Sequence, residues 1–475
     1  MTKAVKSAMD RFPHQARFIL GNEAAERYSY YGMKGILALY ITNVLLMTKD
    51  QATTIIHLFT FVNYFMPLIG AWVSDRYWGR YRTILWISLF YCLGHGVLAM
   101  SDLFGGTTEK LWCLSIGLGL IAFGSGGIKP CVSAFMGDQF KPEQAHLLRK
   151  AYAAFYWVIN LGSTAAFLTI PFVRKEYGYG WAFGIPGIAM GLATLVFWLG
   201  TRHYVMVPPT SKTRAAGFLK VWWFAWQQRG KRSGGRGFWD AARERFSEAE
   251  VDAAKSVAPI LSIFALIPVF WALFDQTFST WVLQGEMMTV YKLGSYNIGP
   301  EEMLAANPIM VMIMVPILTL LVYPRLGRLA TPLRRMSAGM FLAGFSFVVV
   351  AIFQMRLNAG QELSVIWQAF PYLILTMAEV LVSTTGLEFA FREAAPSMKS
   401  TIMGFWSLTV AVGNLLVIGA TKVAGMLSGE GGGHDVSVTP GMFLFYAVLT
   451  AVVAVIFSVI AGRYQYRDAR AAAGE

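Results

Sequence analysis

Residues 70–80 read GAWVSDRYWGR. An apolar run ends in a turn with an aspartate, two arginines and a glycine, and another apolar run begins within a few residues. A short charged turn between two long apolar segments marks a chain that leaves a membrane and re-enters it. Working outward, apolar stretches of about 20 residues, the length that spans a bilayer, recur along the chain. The composition agrees, with 56% of residues hydrophobic and 14% charged, where soluble domains carry about 25% charge.

Twelve spans are expected. Six lie near 30–47, 53–73, 82–101, 111–137, 149–173 and 181–200. Six more lie near 257–290, 308–324, 333–355, 364–390, 400–427 and 440–461. The fold class is an all-α membrane protein with two six-helix bundles. The expected organisation is an N-terminus (1–29) leading into the first helix, a first bundle (30–200), a basic linker (201–255), a second bundle (256–463) and a tail (464–475). Within the linker, FLKVWWFAWQQ (218–228) reads as an amphipathic helix lying on the membrane surface.

The net charge of +13 does not point to nucleic acid, because Lys and Arg cluster in alternate loops. Roughly 30 of the 40 Lys and Arg fall on one side, counting the N-terminus, and about 7 on the other. The basic side is expected to be cytoplasmic, with both termini there, in the plasma (inner) membrane. The N-terminal MTKAVKSAMDRFPHQARF has no signal-peptide core. The three cysteines, Cys92, Cys113 and Cys131, show no metal-binding spacing and read as small buried side chains. No HExxH or GxSxG motif suggests an intramembrane enzyme, and no cofactor or metal is expected.

Charges inside the spans carry the functional signal. In NEAAERYSYYGMK (22–34), Glu23, Glu26, Arg27, Tyr30, Tyr31 and Lys34 recur at the spacing of one helical face. GSGGIKPCVSAF (124–135) places Lys129 inside the fourth span beside Pro130. Its glycines permit close backbone approach, and Pro130 frees a carbonyl. FWALFDQTFSTW (270–281) and TMAEVLVSTTG (376–386) place Asp275 and Glu379 inside the seventh and tenth spans. Cations in one bundle and carboxylates in the other are expected to pair across the interface. Protonating a carboxylate, or offering a cation a substrate carboxylate, would release such a pair and link protons to alternating access. His57, which titrates near neutrality in water, starts the second span.

These stretches carry a resemblance. GAWVSDRYWGR resembles the G-x-x-x-D-R-x-x-G-R loop of the major facilitator superfamily, with one residue more between Gly70 and Asp75. NEAAERYSYYG resembles the E-x-x-E-R-F-x-Y-Y-G motif of the proton-coupled oligopeptide transporters, a branch of that superfamily. FYWVINLGS (155–163) is similar to that family's F-Y-x-x-I-N-x-G-S signature, and GSGGIKP matches its fourth-helix lysine. FWALFDQ and TGLEFAFREAAPSMKSTIMGFWSLTVAVGN (385–414) resemble the animal members and their bacterial relatives.

The resemblance implies inward symport of di- and tripeptides with protons; a monomer in the bilayer is the default expectation. It implies a coupling cluster of Glu23, Glu26, Arg27 and Lys129, with His57, Asp275 and Glu379 also handling protons. Lys34 and Lys129 would attract the peptide carboxylate, helped by Tyr31, Tyr64, Tyr156 and Asn160. Glu379, Asn307 and Ser383 would hold the amino terminus, Trp271 and Trp406 would wall side-chain pockets, and Gln276 of the FWALFDQ motif would join the site. Asp275 would pair with Lys34 at an outer gate. Lys34 stands where most members carry arginine, Tyr28 replaces a phenylalanine, Cys131 a common asparagine and Thr280 an arginine of the animal members. The alternative is the same fold carrying a non-peptide cargo, such as nitrate or a peptide-like drug.

Overall fold

The computed structural model describes residues 12–209, 217–231, 237–327, 330–428 and 435–466. Parts of both termini, of the linker stretch GKRSGGRG and of the loop SGEGGGHD lie outside the described residues. Nine helical runs there are long and apolar enough to cross a membrane, and a bent pair, Glu248–Phe264 with Ile267–Phe278, makes a further span. One run, Lys49–Leu103, is two spans folded back at Gly79, where φ of +73° suits a residue without a Cβ. The first helix, Ala16–Leu39 continuing as Tyr40–Val44, completes twelve spans. It is less apolar than the other spans because its polar face carries Glu23, Glu26, Arg27 and Lys34, all buried in protein.

That first helix starts at Ala16, well before the expected span at 30. The charged residues 22–34 therefore lie within one continuous helix. The second span, Lys49–Val73, begins with a capping box in which Thr48 and Gln51 satisfy each other's backbone N–H groups. It packs closely on the fourth span, Thr107–Asp138. A Cβ added to Gly70 would lie 2.6 Å from the Cα of Gly127, so the glycines of GSGGIKP serve helix contact.

The seventh span departs from the continuous helix expected over 257–290. It runs as Val257–Phe264, Ile267–Phe274, a tight turn at Asp275–Phe278 and Thr280–Gly285. Pro268, in the first turn of the second piece, cannot donate a backbone hydrogen bond to the first. Ser279, with φ −125° and ψ −89°, interrupts the last turn. A small hairpin follows, pairing Tyr291 with Ile298 and Leu293 with Tyr296.

Spans one to six pack as one bundle and seven to twelve as a second. The bundles meet chiefly where the second span touches the eleventh, Lys399–Leu427, and the fifth, Ala145–Tyr177, touches the eighth, Ala306–Ile317. The linker helix Phe218–Gln227 buries Phe218, Val221 and Ala225. Its Phe218 ring stands edge-on to Phe405 of the eleventh span. Leu219, Trp222 and Trp223 stay exposed on its other side.

Candidate functional site

The first helix directs its charges inward because hydrocarbon offers them no partner. Arg27 Nε lies 2.9 Å from Glu23 and 2.7 Å from Glu26. Both are charge contacts, since Nε makes no aligned hydrogen bond to either carboxylate. The other Glu26 oxygen accepts from Ser125 Oγ at 3.3 Å. Lys129 comes in from the fourth span. Its ammonium lies 4.3 Å from the Tyr30 ring centre and 4.5 Å from that of Tyr64. The Nζ atom is buried and has no hydrogen-bond partner. Aromatic faces attract a cation by about 2 kcal/mol in a dry site, but they leave its three donors unused.

Higher on the same helix, Lys34 donates to Asp275 at 3.2 Å, and both side chains are buried. Asn414 Nδ2 donates to the other Asp275 oxygen at 2.8 Å and to Val410 O at 2.9 Å. Its oxygen thus faces His57 Nδ1 at 2.6 Å, which assigns the ring hydrogen to Nδ1. His57 Nε2 lies 2.9 Å from Ser279 Oγ. A neutral ring accepts there from the serine; a protonated ring donates, and the hydroxyl must turn away. His57, Asn414, Asp275 and Lys34 therefore form one chain across both bundles.

Between the bundles lies a cavity of about 110 Å³. Tyr31 of the first span and Tyr156 and Asn160 of the fifth line one side. Asn307 of the eighth span and Glu379 of the tenth line the other. Asn307 Nδ2 donates to Glu379 at 2.7 Å and contacts Thr376 Oγ1 at 3.1 Å. Glu379 ends the regular helix Ala369–Glu379, where a wider π-helical turn, Val380–Thr384, begins; such turns loosen backbone bonding and recur at functional sites.

Several expected site residues lie away from this lining. Lys34, Tyr64 and Lys129 sit beside it, in the networks just described. Gln276 turns back onto its own span, donating to Ala272 O at 2.8 Å. Ser383 lies in the π-helical turn. Trp271 and Trp406 pack edge-to-face, 6.1 Å apart, joining the seventh and eleventh spans.

The lining includes aromatic residues that the sequence did not single out: Phe167, Phe274, Phe278 and Tyr372. A signal existed for Phe167, since Tyr156, Asn160, Ser163 and Phe167 recur along one helical face. Asn414 and Ser279 were also missed, although both lie in quoted motifs. Their partner, His57, is 357 and 222 residues away.

One end of the interface is tied shut. Arg174 of the fifth span bonds Glu301 through Nε at 2.9 Å and NH2 at 2.7 Å. Lys175 bonds Glu302 at 2.5 Å, and Asn43 donates to Glu286 at 2.6 Å. Asp50 accepts from the backbone N–H groups of Val436 and Ser437. The GAWVSDRYWGR turn belongs to the opposite end, where Arg80 bonds Asp138 of the fourth span.

Glu301 precedes the eighth span. Burial pushes its carboxyl from 4.5 up to about 7, against the pull of Arg174. A carboxyl that titrates higher when enclosed than when hydrated holds its proton more tightly in the closed form. Glu301 therefore favours closure fully below about pH 4.5, and that contribution is lost as pH rises through about 7. Spin labels at Tyr177→Cys and Tyr291→Cys, on a background without the native cysteines, report this. From pH 8 to pH 6 the short-distance population is expected to rise, and Glu301→Gln to remove at least half of the rise. An equal rise in Glu301→Gln refutes the assignment.

Comparison with known proteins places this geometry. Residues 81–428 match the profile of the POT family. The chain belongs to the POT family. It is 37% identical over 363 residues to human solute carrier family 15 member 2, covering 73% of this chain and 50% of that protein. It is also 37% identical over 366 residues to Drosophila melanogaster peptide transporter family 1, covering 73% of this chain and 48% of that protein. The chain thus spans about half the length of the curated relatives it matches. The in meso crystal structure of the POT family transporter PepTSo is similar over 96% of this chain and 99% of that one, at TM-score 0.85 and 37% identity. The fold is accordingly that of POT transporters, two bundles of the major facilitator type.

Proposed function

We propose that this POT family member is a proton-driven symporter that imports di- and tripeptides by alternating access. One observation carries the reading. The inter-bundle cavity has a carboxylate, Glu379, on its wall, while a buried ammonium without a hydrogen-bond partner, Lys129, lies on the opposite bundle. A zwitterionic peptide supplies the complementary charge to each. The peptide backbone sets the span between its charged ends, and aromatic walls accept varied side chains. The name of the Drosophila relative supports the same cargo.

The charges also provide coupling. Glu23 and Glu26 face Arg27, with Lys129 nearby, so the ionised cluster is formally neutral. One proton on either glutamate leaves one positive charge in surplus. A peptide carboxylate then restores neutrality. Proton and peptide therefore favour each other's entry. Lys34 and His57 belong to the outer closure through Asp275 in this reading, and Lys34 is spent on that pair while the outer end is shut. The protein acts as a monomer in the plasma membrane, with both termini in the cytoplasm and protons as the only coupling ion.

The test is uptake of labelled dialanine into proteoliposomes with acid outside and a negative interior. Accumulation should collapse with an uncoupler and be competed by trialanine but not by free alanine. Folded protein that accumulates no peptide would shift the assignment to another cargo, with nitrate and peptide-like drugs tried next.

A further inference from the structure

Phe278 occupies the last position of the turn Asp275–Phe278. In a three-residue turn, positions i and i+3 stand one above the other, so Asp275 and Phe278 address the same neighbour. Asp275 meets Lys34 with its carboxylate. Phe278 meets it with its ring face, 4.0 Å from ring centre to ammonium. The ring is also stacked on Tyr31 at 6.1 Å and tilted against Phe167 at 6.1 Å. Three contacts from the first bundle thus brace a side chain of the second. Phe278 nevertheless lines the cavity together with Tyr31 and Phe167. It stands between the space where cargo would lie and the Lys34–Asp275 pair that closes the interface beyond it.

Resting on the peptide-symport reading, we propose that Phe278 is a specificity-determining residue: its braced ring is the ceiling of the cavity and sets the upper size of the cargo. A ring free to swing aside would not discriminate by size. This one would leave a cation–π contact, a stacked tyrosine and a second aromatic neighbour in order to move. A dipeptide leaves the ceiling in place, whereas a third residue presses against it. The next residue, Ser279, bonds His57, so displacement of the ceiling also pulls on the turn that holds the gate.

The experiment compares trialanine with dialanine as competitors for uptake of labelled dialanine in proteoliposomes. The readout is the ratio of their half-inhibiting concentrations. Phe278→Ala is expected to shift that ratio at least fivefold toward trialanine, and Phe278→Tyr, which keeps the ring, to stay within twofold of the original protein. A Phe278→Ala protein that transports dialanine with an unchanged ratio overturns the proposal. Should Phe278→Ala not fold, Phe278→Leu serves: it lowers the bulk while staying apolar, and a ratio unmoved there overturns the ceiling equally. Failure of the unsubstituted protein to take up any peptide is a separate result, which removes the peptide reading and the ceiling with it.

Discussion

Glu26→Gln protein in proteoliposomes is expected to show no accumulation of labelled dialanine under an inward proton gradient, while still exchanging external label for internal dialanine. The reason is the charge count in the first helix. Glu26 is fully buried, lies 2.7 Å from Arg27 and accepts from Ser125. Its amide counterpart fills the same space, yet it carries no charge and takes up no proton. The cluster is then held permanently in the state that a protonated Glu26 would produce, with Arg27 and Lys129 outweighing Glu23. Peptide can still bind, so exchange survives, but its entry no longer requires a proton. The lost driving force is large. A gradient of one pH unit contributes about 1.4 kcal/mol and 100 mV about 2.3 kcal/mol per charge, together on the order of several hundred-fold in accumulation. Glu26→Gln should bring that ratio to about one. Gradient-driven accumulation at the original level would show that protons are carried elsewhere, with Glu23, His57 and Glu379 the groups to substitute next.

Most of the architecture was legible because lipid imposes one rule on the whole length of a span, and GAWVSDRYWGR marks where the chain turns. The first helix was legible for the opposite reason, since charges at helical spacing inside an apolar run demand protein around them. The broken seventh span was not. IPVFWALF continues without a polar residue, and only Pro268 hints at interruption. The cavity aromatics were hidden by abundance, because Phe167, Phe274 and Phe278 follow the same apolar pattern as phenylalanines facing lipid or core. Periodicity assigns a face to a residue without saying what lies beyond that face. Pairings such as Arg174 with Glu301 and His57 with Asn414 join residues on different bundles. Such contacts depend on how two rigid bodies meet, and no local spacing encodes them.

Lys129→Ala is expected to lower uptake of dialanine by two orders of magnitude while barely changing the competition exerted by dialanine amide, which lacks the carboxylate. The Lys129 ammonium rests on the Tyr30 and Tyr64 rings with no hydrogen-bond partner. Rings neutralise little of its field and satisfy none of its donors. A carboxylate satisfies both needs. Hydrogen bonds to charged groups contribute about 1.5–3 kcal/mol each, and an ion pair in a dry site adds to that. Lys34 cannot substitute, because it is bound to Asp275 and covered by Phe278 while the outer end is closed. Removing Lys129 also leaves the coupling cluster with one charge fewer, so a proton taken up by Glu23 or Glu26 would neutralise it instead of creating a surplus. Carboxylate binding and proton dependence should therefore fall together in Lys129→Ala. Lys129→Arg restores the charge without the compact ammonium and should recover part of each. Thermal unfolding of the purified variants, compared with the original protein, separates loss of the cation from loss of the fold. Dialanine uptake left intact in folded Lys129→Ala would place the carboxylate on the cavity lining itself, with Tyr31, Tyr156 and Asn160 as its polar partners there.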